Sequence, residues 1–511
     1  MMDFKRSEEN LGSRIAGGAA MLAFGRFIVR SLSLVNLAVL ARLLSPEDYG
    51  IVALALIAVG LIQVFSDVRI TDALIALDDL TPLHLNTAFT IQFLRGALIA
   101  AALVLFASPI AGFLGDDAIA PVLMALSLAL IFDGLRNPAF YLYQRNIDFS
   151  KEVTRDVIMQ IIGSIVVIAS AIYLRNYWAL VLGTLAGRFC GAAMTYYRVP
   201  TQIGISLRHW REFLGFGGWL TGAAMLGQLN EAAPRILLGR LVGTAPVGIW
   251  TVGRETSALA ASELIAPLRR TLFPGFSAIK HDKERLKRSY VLAQAVMFGV
   301  ALPIGIGMTL VAEEIILILV GPKWADAVFV VQVAGILSAL SFSLIASHSI
   351  LMSLGKTRII FWRSLFGAVL MWPAIWFGID AFGFRGAVIA HGAVTVILIL
   401  LNLTIASRFA ATGAFAGIFA SWRSFLSVAA MSAVVVALKP AAQVDPDPVG
   451  VLLGVLPTIL AGAATYILIH LALWRIARRP DGIEAQIAHY LKKTDYAAIG
   501  KRLGDMISVK R

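Results

Sequence analysis

The amino-acid sequence predicts an all-α integral membrane protein of about fourteen transmembrane helices. Hydrophobic residues make up 59% of the 511 positions and charged residues only 15%, whereas soluble domains carry about 45–50% and about 25%. The mean hydropathy is +0.80, and the apolar residues form stretches of about 20, the length that crosses a bilayer. This composition excludes a soluble enzyme, a disordered chain and a disulfide scaffold. The single cysteine, Cys190, cannot build a disulfide framework or a thiolate metal site.

Fourteen stretches of the chain satisfy the length requirement for a membrane span. The first has no small-residue cleavage site and continues as a full span, so it is not a cleavable signal peptide. The connections are short, and none could hold a separate soluble domain. The predicted spans are residues 15–40, 50–75, 86–107, 119–142, 155–174, 176–197, 213–239, 246–268, 289–312, 326–353, 358–377, 383–406, 422–439 and 450–474.

The distribution of Lys and Arg predicts the orientation of these spans. If the N-terminus is cytoplasmic, thirty Lys and Arg residues fall on the cytoplasmic side and six on the other. The positive-inside rule therefore places both termini in the cytoplasm, and it explains the net charge of +13 without a nucleic-acid partner. The basic tail either lies on the inner leaflet as an amphipathic helix or is simply solvated. The six residues on the opposite side are Arg42, Arg175, Arg240, Lys323, Arg385 and Lys439.

An internal repeat divides the chain into two halves. The stretch 40–51 matches 238–249 at an offset of 198, with eight residues from Arg to Gly in both copies. Gly115 likewise matches Gly321 at an offset of 206. Spans 1–6 and 7–12 are therefore predicted to be parallel copies with a substrate site between them, and spans 13 and 14 to be additions. The predicted divisions are a cytoplasmic segment 1–14, an N-terminal lobe 15–198, an inter-lobe loop 199–212, a C-terminal lobe 213–406, two additional helices in 422–474 and a basic cytoplasmic tail 475–511.

Several charged side chains lie deep inside predicted spans. A charge at this depth costs about 2.5–3.5 kcal/mol on insertion scales, so it usually faces a cavity or a partner. Arg26 and Arg30 share one helix face, which predicts a hydrated surface that meets an anion, because guanidinium groups bind phosphate oxygens in pairs. The alternative is internal ion pairing, for example of Glu231 with Arg235. The deep set is Arg26, Arg30, Arg95, Glu231, Arg235, Arg254 and Glu255, and Asp67 lies near the cytoplasmic end of span 2.

Motifs for the common catalytic chemistries are absent from the sequence. There is no Gly-rich phosphate loop for ATP hydrolysis, no HExxH motif and no Cys/His cluster. Asp78-Asp79 and Asp116-Asp117 could hold a metal in a glycosyltransferase-like enzyme, but each pair sits in a short turn. We therefore predict a non-enzymatic transporter without a cofactor. The alternatives are a cation-coupled multidrug or small-molecule antiporter and a membrane enzyme of polysaccharide assembly.

Five stretches resemble the Wzx-type polysaccharide flippases, within the multidrug/oligosaccharidyl-lipid/polysaccharide exporter superfamily. They run in the family's order across residues 15 to about 475. The segments around Ser45-Pro46-Glu47-Asp48 and Lys323-Trp324 are the most specific. The stretches are 41–55 (ARLLSPEDYGIVALA), 142–149 (LYQRNIDF), 213–217 (FLGFG), 273–277 (FPGFS) and 321–328 (GPKWADAV).

The resemblance implies two six-helix lobes that form a V around a central cavity, with two peripheral helices. It implies a flippase of the bacterial inner membrane that moves an undecaprenyl-diphosphate-linked oligosaccharide to the outer leaflet for exopolysaccharide or O-antigen biosynthesis. Arg26, Arg30 and Arg254 fall in helices whose cationic residues line the cavity in related lipid II flippases, whereas Pro234-Arg235 and Arg254-Glu255 depart from the usual family pattern. We include Arg95 and Arg235 in the predicted diphosphate site.

The resemblance also sets expectations for partners and energy source. Expected partners are the lipid-linked oligosaccharide, membrane lipids, a polysaccharide polymerase and other assembly proteins, with the protein acting as a monomer. Membrane potential alone could drive export of the anionic lipid. Coupling to protons or sodium through Glu231, Glu255 or Asp67 stays open.

Overall fold

The fold is a bundle of helices joined by short turns. The computed structural model describes residues 11–66, 70, 73–74, 77, 80–145, 148–197, 199, 203–213, 219–439 and 448–478, and these contain no β-strand. The principal helices are α1 (Leu11–Leu43), α2 (Pro46–Phe65), α3 (Pro82–Leu105), α4 (Ile119–Gly134), α5 (Ser150–Leu174), α6 (Trp178–Met194), α7 (Trp219–Leu241), α8 (Thr244–Ile279), α9 (Lys283–Leu310), α10 (Ala327–Ser341), α11 (Ser343–Ser353), α12 (Thr357–Phe409), α13 (Trp422–Leu438) and α14 (Pro448–Ile476).

Each predicted span coincides at least in part with helix in the part of the chain that the structure describes, but the fourth, tenth, eleventh and twelfth are not simple single helices. The fourth continues from Ile119–Gly134 across a 64° bend into Pro138–Arg145. The tenth is broken into α10 and α11, which meet at 41°. The eleventh and twelfth both lie in α12, which is interrupted by non-helical backbone at Phe382 and at Gly383 (φ 57°). Seven described helices are long and apolar enough to cross a membrane, or nine when bent pairs count as one. The all-helical membrane fold is therefore confirmed, while the number fourteen stays a prediction.

Helix contacts follow the internal repeat. In the first half α1 packs on α5, α3 on α4, and α4 on α6. In the second half α7 packs on α12, α9 on α10, and α10 on α12. Because the spans that correspond in the two copies make corresponding contacts, the packing supports the duplication inferred from the sequence.

The two copies of the repeated turn pack against each other. A Cβ atom added to Gly50 would lie 1.8 Å from the carbonyl oxygen of Thr244, and one added to Gly248 would lie 1.9 Å from that of Pro46. Pro46 and Thr244, like the two glycines, are 198 residues apart, so the contact is reciprocal. Only glycine permits two helices to approach so closely, since any side chain would collide with the opposing backbone.

Hydrogen bonds extend this reciprocal contact. Arg42 Nη2 donates to the carbonyl of Ile318 at 2.9 Å, and Arg240 Nη1 donates to that of Phe113 at 2.8 Å. Each arginine thus binds the end of a short helix in the other half, either Ala107–Leu114 or Ala312–Leu319. We call residues 41–50, 113–115, 239–248 and 318–324 the sealed end. The predicted orientation makes it extracytoplasmic.

The two most specific stretches of the sequence meet at the sealed end. Ser45 and Asp48 form a capping box that starts α2, with the Asp48 backbone N–H donating to Ser45 Oγ at 3.2 Å. Trp324, fully buried, donates its indole N–H to the carbonyl of Ala41 at 2.8 Å and packs edge-on against Tyr49. These residues therefore join the first half to the second.

Among the described residues, the additional helices α13 and α14 make their main contacts with each other and with the second half. Tyr466 donates its hydroxyl to the carbonyl of Gly299 on α9 at 2.6 Å, within an apolar cluster that includes Phe298 and Val435. The predicted tail helix lies outside the described residues, as do Asp67, Asp78 and Asp79.

Candidate functional site

A cavity of about 560 Å³ opens among α7, α8, α10, α11 and α12. The residues that line it all fall within 227–402, in the second half of the chain. The site between the halves that the repeat predicts stays a prediction. This volume is in the range of cavities that bury small ligands. Its charged lining residues are Glu231, Arg254 and Arg363, and its polar lining includes His348 and His391.

Arg254 and Glu231 form an ion pair across two helices at the cavity. Arg254 Nη2 lies 3.3 Å from Glu231 Oε2, and both side chains are at least one-third exposed. Glu231 therefore accepts its hydrogen bond from Arg254 and not from Arg235, the partner considered from the sequence. Both residues also act electrostatically on His391. His391 lies on the second arm of α12, after the break at Phe382 and Gly383. Both side chains are exposed enough for an anionic ligand to replace Glu231 as the partner of Arg254.

A second charged group, Arg30, Arg235 and Glu255, adjoins the first. Glu255 interacts electrostatically with both arginines, and Arg235 also interacts with Glu231 and Arg254. The buried Nε and Nη2 of Arg30 and the Nε of Arg235 have no hydrogen-bond partner among the described residues. Guanidinium donors left without protein acceptors at this depth favour a ligand that supplies oxygen atoms.

Among the described residues that interact here, the charges do not cancel. Arg30, Arg235, Arg254 and Arg363 stand against Glu231 and Glu255, which leaves two positive charges in excess. We call these six residues the arginine cluster. An excess of two matches the charge of a diphosphate diester, and arginine keeps its charge in any surroundings.

Two of the predicted site residues lie apart from the arginine cluster. Arg26 is exposed on α1 and is not among the cavity-lining residues. Arg95 Nη1 donates to the carbonyl of Ser66 at 3.2 Å, at the C-terminal end of α2. A cation there stabilises the negative end of a helix dipole, which gives Arg95 a structural role. Their part in substrate binding stays a prediction, as does coupling through Asp67, which lies outside the described residues.

Arg363 is the residue that sequence reasoning missed. Its position near the start of a span led us to count it with the cytoplasmic loops, yet it lies in the second turn of α12 and lines the cavity. The available signal was its flanking by Phe361-Trp362 and Leu365, which places a charge inside an apolar run.

One group of side chains could hold a metal among the described residues. The ligand atoms of His84, His209 and Glu212 lie within 4.8 Å of one another. However, His84 Nδ1 accepts a hydrogen bond from the Thr81 backbone N–H at 3.1 Å, so its Nε2 carries the proton that it donates to Glu212 at 3.0 Å. A metal needs that lone pair, so the group fits a hydrogen-bonded clasp between α3 and the inter-lobe loop better than an ion site.

Comparison with known proteins agrees with this architecture. A family model described as "Polysaccharide biosynthesis protein" matches residues 39–329. Lipopolysaccharide biosynthesis protein WzxC of Escherichia coli (strain K12) is 24% identical over 401 residues, covering 77% of this chain and 81% of that protein. Succinoglycan biosynthesis transport protein ExoT of Rhizobium meliloti (strain 1021) is 24% identical over 429 residues, covering 83% and 85%.

A solved structure shares the fold. "Lipid II flippase MurJ, inward closed conformation" superposes with a TM-score of 0.72 over 89% of this chain and 99% of that chain, at 13% identity. The predicted resemblance to Wzx-type proteins is thus confirmed. Because the family model covers more than half of its residues, this chain belongs to the polysaccharide biosynthesis protein family.

Proposed function

We propose that this multi-pass membrane protein translocates an undecaprenyl-diphosphate-linked oligosaccharide between leaflets, for exopolysaccharide or O-antigen biosynthesis. The observation that supports the proposal is the arginine cluster, whose two excess positive charges adjoin a cavity that has charged and polar residues in its lining. Each sugar hydroxyl costs several kcal/mol in hydrocarbon, about 4–8 without a partner. A hydrated, cationic cavity removes this barrier while the polyprenyl chain stays in the lipid.

Direction can come from the membrane potential. Each elementary charge that crosses the membrane contributes about 2.3 kcal/mol per 100 mV, so a diphosphate moving outward from a negative interior is driven without ATP. We propose that the protein is not an enzyme, lies in the bacterial inner membrane with both termini cytoplasmic, acts as a monomer and delivers substrate to a polymerase. We also retain the predicted lobes 15–198 and 213–406, with 422–474 as additional helices.

The test is complementation of a strain that lacks this protein. We expect Arg254→Ala, Arg363→Ala and Arg30→Ala each to reduce surface polysaccharide by about tenfold or more, because one charged hydrogen bond contributes about 1.5–3 kcal/mol. Arg285→Ala, at an exposed position of α9, is the matched control and should leave polysaccharide unchanged. Membrane levels of each variant are measured by immunoblot.

Two outcomes would contradict the proposal. Normal polysaccharide in the triple variant would remove the arginine cluster from the mechanism. Drug sensitivity with intact polysaccharide in the deletion strain would instead favour the antiporter of the same superfamily.

A further inference from the structure

The connection between α8 and α9 projects further from the sealed end than the neighbouring turn between α11 and α12. Helix α8 has 36 residues and α9 has 28, so they measure about 54 Å and about 42 Å. The first arm of α12, residues 357–381, measures only about 37 Å. A bilayer with its headgroups is about 40–45 Å thick. In the predicted orientation, the α8–α9 connection therefore reaches past the headgroups into the cytoplasm.

Exposed basic side chains cover this connection, which we call the basic tip (residues 280–288). Five of its residues are Lys or Arg and two are acidic, which leaves three positive charges in excess. One acidic side chain is already in use, because the Asp282 carboxylate accepts a hydrogen bond from the Arg285 backbone N–H at 3.0 Å and caps α9. Within the described chain, no ion pair or aromatic ring contact holds the basic side chains of the tip. Those that are exposed are Lys280, Lys283, Arg285 and Arg288.

Several basic residues at other cytoplasmic helix ends are instead held by contacts within the molecule. Arg155 forms an ion pair with Asp156 at 2.8 Å. The Arg358 guanidinium lies over the ring of Trp219, 5.5 Å from its centroid. The positive-inside rule accounts for Lys and Arg close to the ends of spans. It does not account for a group of unpaired cations that extends beyond the headgroups.

Packing fixes the basic tip in place. Phe276 and Leu286 are only 2% and 3% exposed, within an apolar cluster that joins α8 and α9 to α11 and α12. The Asp282 backbone N–H donates to the carbonyl of Ile279 at 3.0 Å and closes the turn. A surface that is already ordered loses little conformational entropy when it binds a partner. The same cluster contains Ile345, which lines the cavity, so a protein bound at the tip would lie beside the helices of the cavity.

We propose that the basic tip docks an acidic segment, rich in Asp and Glu, of a cytoplasmic protein. Its unpaired cations attract and steer a negatively charged surface. Its position beyond the headgroups favours a soluble partner over lipid phosphates. Because exposed ion pairs are individually weak and are screened by salt, the complex is transient and salt-sensitive. This inference does not depend on which substrate the protein transports.

The binding test uses the full-length protein in nanodiscs of phosphatidylcholine, which has no net charge, and a dye-labelled peptide of alternating Glu and Ser as the probe. We expect the peptide to bind in low salt, and about tenfold more weakly once the Debye length falls to about 8 Å. A tip variant that combines Lys280→Gln, Lys283→Gln and Arg288→Gln should weaken binding in low salt about tenfold. The matched control removes the same charge from neighbouring cytoplasmic helix ends and should bind as wild type does; it combines Lys356→Gln, Arg358→Gln and Arg408→Gln.

Cross-linking in cells identifies what occupies the basic tip. Benzoylphenylalanine in place of His281, an exposed residue of the turn, is activated by light, and the adducts are sequenced by mass spectrometry. We expect adducts on Asp- and Glu-rich stretches of cytoplasmic proteins, which the tip variant loses and the matched control keeps. Unchanged Tm values show that both variants are folded. Adducts to phospholipid alone, adducts on stretches without an acidic excess, no adduct, or equal loss of peptide binding in the two variants would overturn the proposal.

Discussion

The contact between Gly50 and Gly248 makes a quantitative prediction about opening of the sealed end. An alanine Cβ at Gly50 would lie 1.8 Å from the Thr244 oxygen, where ordinary contact begins at 3.4 Å. Helices α2 and α8 would therefore have to separate by about 1.6 Å, the difference between these two distances. Overpacking of this kind costs about 1–3 kcal/mol, which converts to an increase of about 5–150-fold in the population opened there.

Gly248→Ala should have the same effect as Gly50→Ala, because its Cβ would lie 1.9 Å from the Pro46 oxygen in the reciprocal contact. The double variant should add little to either single variant. Once the first methyl group has separated the helices, the second enters space that already exists. Gly60→Ala on the same helix is the matched control, since its nearest neighbour would be the Gln228 side chain at 3.7 Å.

The assay measures access to a cysteine placed just inside the contact. Thr251 lies one turn further along α8 from Gly248 and is 8% exposed. A Thr251→Cys reporter in a Cys190→Ala background reacts with a membrane-impermeant maleimide added from outside. We expect both single alanine variants to accelerate labelling and Gly60→Ala to leave it unchanged. Unchanged labelling in Gly50→Ala, or a double variant equal to the product of the two singles, would refute the reasoning.

Two further predictions concern the hydrogen bonds at each end of the bundle. Arg42→Gln and Arg240→Gln should accelerate labelling of the same reporter to a similar extent, because they break equivalent hydrogen bonds to Ile318 and Phe113. An effect of only one variant would show that the two hydrogen bonds do not contribute equally to the sealed end. On the other side, the His209 hydrogen bond, followed by His84, lowers the pKa of Glu212 below its usual 4.5. A lowered carboxyl pKa stabilises the fold above the unfolded pKa, and this stabilisation disappears as pH falls through the folded value. The Tm difference between wild type and Glu212→Gln should therefore shrink as pH falls below 4.5, the usual value for this carboxyl group, and disappear once pH is below the lowered folded pKa; a difference that persists unchanged in strong acid would contradict the ionic contribution.

Local sequence properties were sufficient to predict the helices and the duplication. Hydropathy is a sum over about 20 neighbouring residues, so the spans could be placed without knowing what they contact. The matching turns around Gly50 and Gly248 were recognisable as copies because their residue types and spacing repeat. The sequence did not predict that these two turns contact each other, because nothing in either turn specifies that it packs on the other.

The site was predicted only in part, for the same reason. Helical spacing relates Glu231 to Arg235 four residues away, whereas the structure pairs it with Arg254, 23 residues away on the next helix. Arg363 was counted with a cytoplasmic loop because a charge near the end of a span can extend its side chain to water. Only the packing of α12 against its neighbours places Arg363 in the cavity lining.

The sequence by itself determined that this protein is a helical membrane bundle, and it predicted two copies and an excess of arginine inside the spans. Tertiary structure alone decided that Arg254 pairs with Glu231 and that Arg363, His391 and Asn402 line one cavity. The physical reason is that partition into lipid depends on each segment's own composition, whereas pairing and cavity formation depend on which segments pack together.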